Sequence, residues 1–509
     1  MGTPPPQAFA AVDLGATSGR VIRAEVSAQG ATLREAHRFA NGPYFDGAAL
    51  RWDIRSLWQE ILIGLRRAAE EGPLQGIGID SWAVDYGLLD GEGHLLADPV
   101  AYRDERTKPV IDQVHRKVSP ERLYAISGMQ FMPFNTIYQL AAEAQGPVLD
   151  SARQLLMLPD LLAYWLTGSR VAEVTNASTT ALLDQRTRTW SQELIEAMGL
   201  DPGLFAPVVE PGDVIGTLTP QVQSRTGLGE VPVYAVGSHD TASAVLAVPA
   251  DRADFAYISS GTWSLVGVEL QEPVLTEDSR QANFTNELGV DRSVRYLRNV
   301  MGLWVLSECQ RIWAEAGQEQ SLPDLLTRAG QLPPRRTLVD VDHPDFLPPG
   351  DMPARLAEHA RAGGYPVPQD PAEITRCVID SLALAYRRAL ADATALSGQE
   401  ISLVHVVGGG SLNELLCQVT ADATGLPVLA GPAEGTALGN ALVQARAAGA
   451  LSCGREGLRA VAARSAAPRR YVPNPAEREA WRAVHPVRAV PSKPASPSNP
   501  ASPSNPSQD

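Results

Sequence analysis

The stretch "GSHDTAS", residues 237–243, sets a carboxylate between an imidazole and a hydroxyl at the end of an apolar run. Open α/β sheets bind their ligands at the carboxyl ends of strands. Asp240 in that place could orient a substrate hydroxyl and accept its proton, while His239 and Thr241 hydrogen-bond a polyol. In phosphoryl transfer such a carboxylate mainly orients the attacking oxygen and takes the proton late, so no raised pKa is needed. An Asp just before a helix also serves as an N-cap.

A phosphate-binding role is suggested by "FAAVDLGATSGRVIRAEV", residues 9–26. No Lys follows Gly19, so this is not a GxxxxGK[ST] loop. A strand rather than a helix follows, so it is not a dinucleotide-binding GxGxxG turn. The backbone N–H groups of Ala16 to Gly19, with the hydroxyls of Thr17 and Ser18, could instead cradle a phosphate inside a β-hairpin. Gly15 and Gly19 are expected to permit positive φ and close approach. Arg20 could add a cationic fork. A second hydroxyl-rich turn, "SSGTWS" at 259–264, offers Thr262 to a polyphosphate from another side. A third, Gly408, Gly409 and Gly410, would let a flat ring or ribose lie against bare backbone. Taken singly, each turn also reads as an ordinary connection.

These residues need a scaffold, and the alternation of patterns supplies an α/β one. Residues 8–40 read as three strands joined by short turns, an antiparallel meander. "DIRSLWQEILIGLRRAAEEG" is an amphipathic helix with Asp at its start and Gly at its end. "LQGIGID" is a buried strand continued by "YGLLD", and "ARQLLMLPDLLAYWLTG" reads as one apolar helix. The pattern then restarts: "AYISSGTWSLVGV" repeats the strand, polar turn, strand of "AAVDLGATSGRVI". That is a duplicated domain, not a solenoid. The expected division is a lead at 1–7, an N-terminal lobe at 8–246, a C-terminal lobe at 247–485, and a tail at 486–509. The tail repeats PASPSN and is too polar to offset its ordering entropy, so disorder is expected there.

Bulk properties narrow the partners. The 509 residues suffice for two large domains. A net charge of -15 argues against a nucleic-acid partner. No apolar run approaches a membrane span and no signal peptide is visible, so a cytoplasmic protein is expected. The four cysteines form no CxxC pair and read as reduced thiols. The eight histidines form no HxxxH or HExxH, and no structural metal site is expected from them. Oligomeric state is not legible.

Together the motifs resemble the FGGY carbohydrate kinases of the actin–hexokinase–chaperone ATPase superfamily. The resemblance is carried by "AVDLGATSGRV", "GIDSWAVD", "PVAYRDERT", "MPFNTIYQL", "LLMLPDLLAYWLTG", "TNASTT", "PGDVIG", "SHDTASAV", "YISSGTWSL", "NFTNELG", "LRNVMGLW" and "HVVGGGSLN", in order over residues 8–475. "SHDTASAV", "SSGTWSL" and "NVMGLW" point to the branch acting on L-rhamnulose. The resemblance implies two ribonuclease-H-like (actin-like ATPase) lobes, each a mixed five-stranded sheet with helices, around a cleft. It implies ATP as co-substrate, Mg²⁺, and transfer to the 1-hydroxyl of a ketose. By motif, Asp240 would be the proton acceptor. His239, Thr241, Asn299 and the backbone at Ala83 would meet the sugar. Ala16, Thr17, Ser18, Gly19, Arg20, Thr262 and Gly409 would meet the nucleotide, and Asp13 the Mg²⁺ through water. Two positions depart from relatives: Ala83 stands where a Gly is usual, and Ser307 where a relative's Gln reaches the nucleotide. Kinases for L-fuculose or L-xylulose, a non-catalytic nucleotide switch and a phosphatase on the same fold are the competing readings. For Trp82, Trp263 and Trp304, core or interface packing is expected rather than sugar stacking.

Overall fold

Apolar residues at nearly every position from Ala8 to Leu14 mark a strand buried on both faces, and β1 (Gln7–Leu14) is buried from its second residue on. It begins one residue inside the expected lead. In this computed structural model, which describes residues 5–484, β1 turns back into β2 (Ser18–Ser27) and then β3 (Gly30–Ala40), the expected meander. The lead residues 1–4 and the whole of the expected tail lie outside the described residues. Helix α1 (Ile54–Ala69) follows, with the Asp53 carboxylate accepting from Ser56 N at its start. β4 (Ile77–Ser81) then pairs parallel with β1, setting Asp80 beside Asp13.

Two expectations are corrected next. Residues Tyr86–Leu89 do not continue β4; they pair with Gln154–Met157 in a separate two-stranded sheet. The apolar run from 152 is not one helix. It is that strand followed by α2 (Leu158–Thr167). The break falls at Met157, the extended N-cap of α2, and Pro159 suits the first helical turn that follows it.

β5 (Val214–Thr217) and β6 (Pro232–Tyr234) complete a first sheet ordered β5-β6-β4-β1-β2-β3. The chain runs from β6 through Gly237 into α3 (Asp240–Leu246). The second sheet contains β7 (Phe255–Ser260), β8 (Trp263–Leu270), β9 (Thr285–Leu288), β10 (Val294–Met301), β11 (Leu403–Val407), β12 (Val428–Ala430) and β13 (Arg469–Tyr471). Its order is β9-β10-β8-β7-β11-β12-β13. Five strands of each sheet correspond: β3-β2-β1-β4-β6 and β10-β8-β7-β11-β12 share the same sequence of two antiparallel and two parallel pairings. The duplicated five-stranded core is therefore present. Edge strands enlarge it to six strands in one sheet and seven in the other.

Two compact units emerge from the packing. Residues 5–304 and 382–484 hold both sheets, and residues 305–381 form a second unit. The second unit carries α4 from its second residue on (Trp304–Glu315), α5 (Met352–Ala362) and the first part of α6 (Pro371–Ser397). Within the first unit, α7 (Gly435–Ala447) ties the sheets together. Its Gly439 lies so close to α3 that an added Cβ would sit 1.8 Å from Ser243 O. Its Gln444 Nε2 donates to Ala10 O of β1 at 3.0 Å.

Candidate active site

A cavity of about 290 Å³ opens in the first unit where the turns of both sheets converge. The first hairpin contributes Asp13, Gly15, Ala16, Thr17 and Arg20, and the second Ser259 to Trp263. Gly408 and Gly409 come from the third turn, Trp82 to Val84 from the segment after β4, and His239 to Thr241 from the start of α3. Asn299 of β10 and Glu287 of β9 complete the wall. The residues expected at a site thus meet in one place, with three exceptions. Ser18 opens β2, and its carbonyl accepts from Gly15 N to close the hairpin turn. Gly19 is buried, and neither it nor Gly15 has positive φ. An added Cβ at Gly19 would meet the Phe39 ring at 2.3 Å, so this glycine makes room for core packing rather than for a ligand. Ser307 is exposed on α4, within the second unit.

The hairpin register fixes the charges. Asp13 and Arg20 face each other across β1 and β2. Arg20 Nε and Nη2 donate to Asp13 Oδ2 at 2.9 and 2.7 Å, and Nη1 lies 2.6 Å from Glu434 Oε2. Burial works against the guanidinium charge, but the Asp13 and Glu434 carboxylates outweigh it and raise its pKa. Behind Asp13 the side chain of Asp80 is fully buried and accepts from Asn440 Nδ2 at 2.5 Å. Burial first, and the Asp13 charge second, hold the Asp80 carboxyl well above the usual carboxylate range. Sequence reasoning passed over Asp80. Its signal was present: an Asp at the end of a strand parallel to β1, in the same relative place as Asp13.

Asp240 stands at the first turn of α3. Thr241 Oγ1 donates to its Oδ1 at 3.0 Å, and His239 Nε2 lies 3.5 Å from the same oxygen. The N-cap position of α3 falls on His239 and Asp240 is the first helical residue, so Asp240 is not the N-cap. Burial raises its pKa, His239 opposes the shift, and Asp13 adds to it. The side chain keeps 31% of its surface exposed, toward the cavity it lines.

His239 is held from behind by a pair that sequence reasoning also missed. Glu287 is 2% exposed and lies 3.0 Å from Arg295 Nη1 and 3.2 Å from His239 Nδ1. Burial alone would raise the Glu287 pKa, but Arg295 and His239 overcome it and the net direction is downward. Arg295 Nη2 also lies 3.2 Å from Nδ1, yet it donates to Leu288 O at 3.1 Å. A carboxylate at Nδ1 favours a proton on that nitrogen and leaves Nε2 to face Asp240. "NFTNELG" contained Glu287, but a buried Glu two strands from His239 has no local spacing signature.

The remaining wall is rigidly set. Gln130 Oε1 accepts from both N and Nδ2 of Asn299 at 2.9 Å, which fixes that amide. Val84 adopts φ 68, strained for a β-branched residue, and its carbonyl is pinned by Thr136 Oγ1 at 2.7 Å and Gln139 Nε2 at 3.2 Å. That kink turns Ala83 to the cavity. Trp82 and Trp263 line the cavity, but the Trp82 indole N–H is spent on Asp85 and its ring packs on Trp52 at 4.4 Å. Trp304 stacks under the Arg103 guanidinium at 4.1 Å. In the glycine turn, Cβ atoms on Gly408 and Gly410 would collide with Ser260, whereas Gly409 faces open space. Two glycines therefore pack the third turn onto the second hairpin, and the middle one leaves a bare backbone surface.

Residues 8–247 match the N-terminal domain of the FGGY family of carbohydrate kinases, and residues 256–448 its C-terminal domain. A rhamnulokinase from Bacteroides thetaiotaomicron is 43% identical over 482 residues, covering 94% of this chain and 98% of that protein. A rhamnulokinase from Enterococcus faecalis is 43% identical, over 87% of this chain and 90% of its own length. Among solved structures, a ligand-bound xylulose kinase from Lactobacillus acidophilus superposes with TM-score 0.77 at 16% identity, covering 94% of this chain and 96% of that one. Plasmodium falciparum glycerol kinase with ADP gives 0.74 at 13% identity, over 93% and 96%. These structural likenesses concern the fold.

Proposed function

The chain belongs to the FGGY family of carbohydrate kinases, and we propose that it transfers the γ-phosphoryl group of ATP to the 1-hydroxyl of L-rhamnulose. The choice of sugar rests on the relatives' activity. One observation carries the chemistry: Asp240 shares a single cavity with the Asp13–Arg20 hairpin and the open Gly409 backbone.

In this reading the sugar lies against Ala83, His239, Thr241 and Asn299, and Asp240 accepts the hydrogen bond of the reacting hydroxyl. The sugar oxygen attacks the γ-phosphorus, the bond to the β,γ-bridging oxygen breaks, and ADP leaves. The hydroxyl proton passes to Asp240 late in the transfer. Arg20, Thr17, Thr262 and the turn backbone at Ala16 and Thr17 compensate phosphate charge. Gly409 gives the nucleoside a flat surface. Asp13, backed by Asp80, offers the hard carboxylate oxygen that Mg²⁺ prefers beside substrate phosphates. When bound, Mg²⁺ neutralises charge on the phosphoryl oxygens. Closure of the cleft on both substrates would exclude water that competes for the phosphoryl group. The reaction draws on ATP, and cysteines that form no disulfide suit a reducing, cytoplasmic setting.

The test is a panel of ketoses with ADP release as readout. L-rhamnulose should give the highest kcat/KM. A higher value for L-fuculose or L-xylulose would replace the sugar while keeping the kinase. Comparable ADP release without any sugar would overturn the transfer reaction itself.

A further inference from the structure

The second unit holds a cluster that phosphoryl transfer does not use. His343 precedes a short 3-10 turn, Pro344–Phe346, that contains Asp345, and His359 lies on α5. The two histidines are sixteen positions apart, which is why no metal motif appears in the sequence. The fold closes that gap. Asp345 Oδ2 lies 3.0 Å from His359 Nε2 and 3.4 Å from His343 Nδ1, and the imidazoles are 4.4 Å apart between centroids. One nitrogen from each ring and one carboxylate oxygen lie within 4.8 Å of one another.

We propose that His343, Asp345 and His359 form a binding site for a divalent transition cation, of which Zn²⁺ is the best fit. Zn²⁺ sits about 2.0–2.2 Å from imidazole nitrogen and carboxylate oxygen, which places tetrahedral ligands about 3.3–3.5 Å apart. The 3.4 Å spacing from His343 Nδ1 to Asp345 Oδ2 falls in that range, and the 3.0 Å spacing from His359 Nε2 would open by a few tenths of an ångström. The ligand types suit Zn²⁺, Co²⁺ or Ni²⁺ rather than Mg²⁺ or Ca²⁺, which prefer all-oxygen sets. Both histidines are buried, at 7% and 5% exposure, and Phe346 packs 4.7 Å from the His359 ring, so the imidazole side of the site is dry and preshaped. Asp345 keeps 40% of its side chain exposed, leaving a path for the ion and room for a water as fourth ligand. A cation would displace the Asp345 N–H donated to His343 Nδ1 at 3.2 Å and the hydrogen bond between His359 Nε2 and Asp345 Oδ2 at 3.0 Å. The ion would clip the loop at 347–351 between its two flanking elements, a structural role separate from the kinase cavity. A second grouping, Asp90, Glu92 and His94, has similar ligand types but lies in a turn where Glu92 and His94 are exposed, and it serves as a control.

The experiment uses the full chain without a histidine tag, in excess Mg²⁺ so that the carboxylates of the kinase site are not open to the added ion. Calorimetric titration with Zn²⁺ should give one site per chain, and Co²⁺ should give the visible absorption of a low-coordinate nitrogen and oxygen site. Zn²⁺ should raise Tm, and binding should weaken as pH falls and the imidazoles protonate. His343→Ala and His359→Ala should abolish stoichiometric binding, and His94→Ala should not. ATP and sugar turnover should be unchanged in all three. If an alanine variant is misfolded by circular dichroism, Asp345→Asn and His359→Gln replace it. Absence of stoichiometric binding in the wild type, or binding unaltered in folded His343 and His359 variants, would show a hydrogen-bonded cluster without a metal and overturn the proposal.

Discussion

At the scale of single residues, the carboxylates divide into those that touch ligand space and those that support them. Asp240 lines the cavity with His239 and Thr241 on its Oδ1. Asp240→Asn keeps the shape and removes the proposed proton acceptor. It should lower kcat by at least about 10²-fold and leave sugar affinity by calorimetry nearly unchanged. Near-normal kcat would remove Asp240 from its role. Glu287 reaches the cavity wall, but its carboxylate is spent on His239 and Arg295, so it acts through His239. Losing a charge-assisted contact of about 1.5–3 kcal/mol corresponds to about ten- to hundredfold. Glu287→Gln should lower kcat/KM for the sugar by that factor, shift the pH–rate profile, and leave ATP affinity intact. An equal loss for ATP would indicate general distortion of the site instead. The contrast explains what was legible. Asp13, Asp240, Arg20 and Thr262 announce themselves because each sits beside a turn with a local pattern. Asp80 and Glu287 become functional only through strand register and a neighbour far along the chain.

At the scale of elements, glycines that look alike in sequence do different work. Gly19 and Gly409 both belong to turns expected to touch the nucleotide. Gly19 instead makes room for Phe39, and Gly409 alone faces open space. Gly409→Ala should therefore change stability by less than about 0.5 kcal/mol while weakening ATP binding. Gly19→Val should cost about 1–3 kcal/mol by overpacking, read as a lower denaturation midpoint. If Gly19→Val lost ATP affinity at unchanged stability, the packing argument would be wrong. Gly439 marks the tightest crossing, where a methyl would meet the backbone oxygen of Ser243 behind Asp240. Backbone cannot rotate away, so this position constrains the placement of α3. None of these distinctions is readable from "GATSGR", "GGGS" or "GTALGN", because each depends on what another segment places opposite.

At the scale of the whole molecule, the duplicated strand, turn and strand announced two related sheets, and the matching pairings of five strands in each bear that out. The added edge strands were illegible because they are only three or four residues long. Long-range closure of another kind surrounds Asp85. This buried carboxylate accepts from Trp52 Nε1 at 2.7 Å, Trp82 Nε1 at 3.0 Å, Tyr102 N at 3.1 Å and Gln139 Nε2 at 3.0 Å. One side chain thereby joins four separate segments. Burial pushes its pKa from 3.8 up to about 6, against the pull of those donors. The sign follows from linkage. Between the two values the unfolded chain has released a proton that the folded chain still holds, so stability falls as pH rises through that window. About two units correspond to on the order of 3 kcal/mol. Asp80, Asp160 and Glu173 shift in the same direction, so raw wild-type stability does not isolate Asp85. The difference between wild type and Asp85→Asn does. In denaturant titrations the wild-type advantage should shrink from about pH 4 to about pH 6 and stay constant above it. A difference that does not change with pH would mean that the four donors keep Asp85 ionised throughout, and that their hydrogen bonds outweigh the cost of burial.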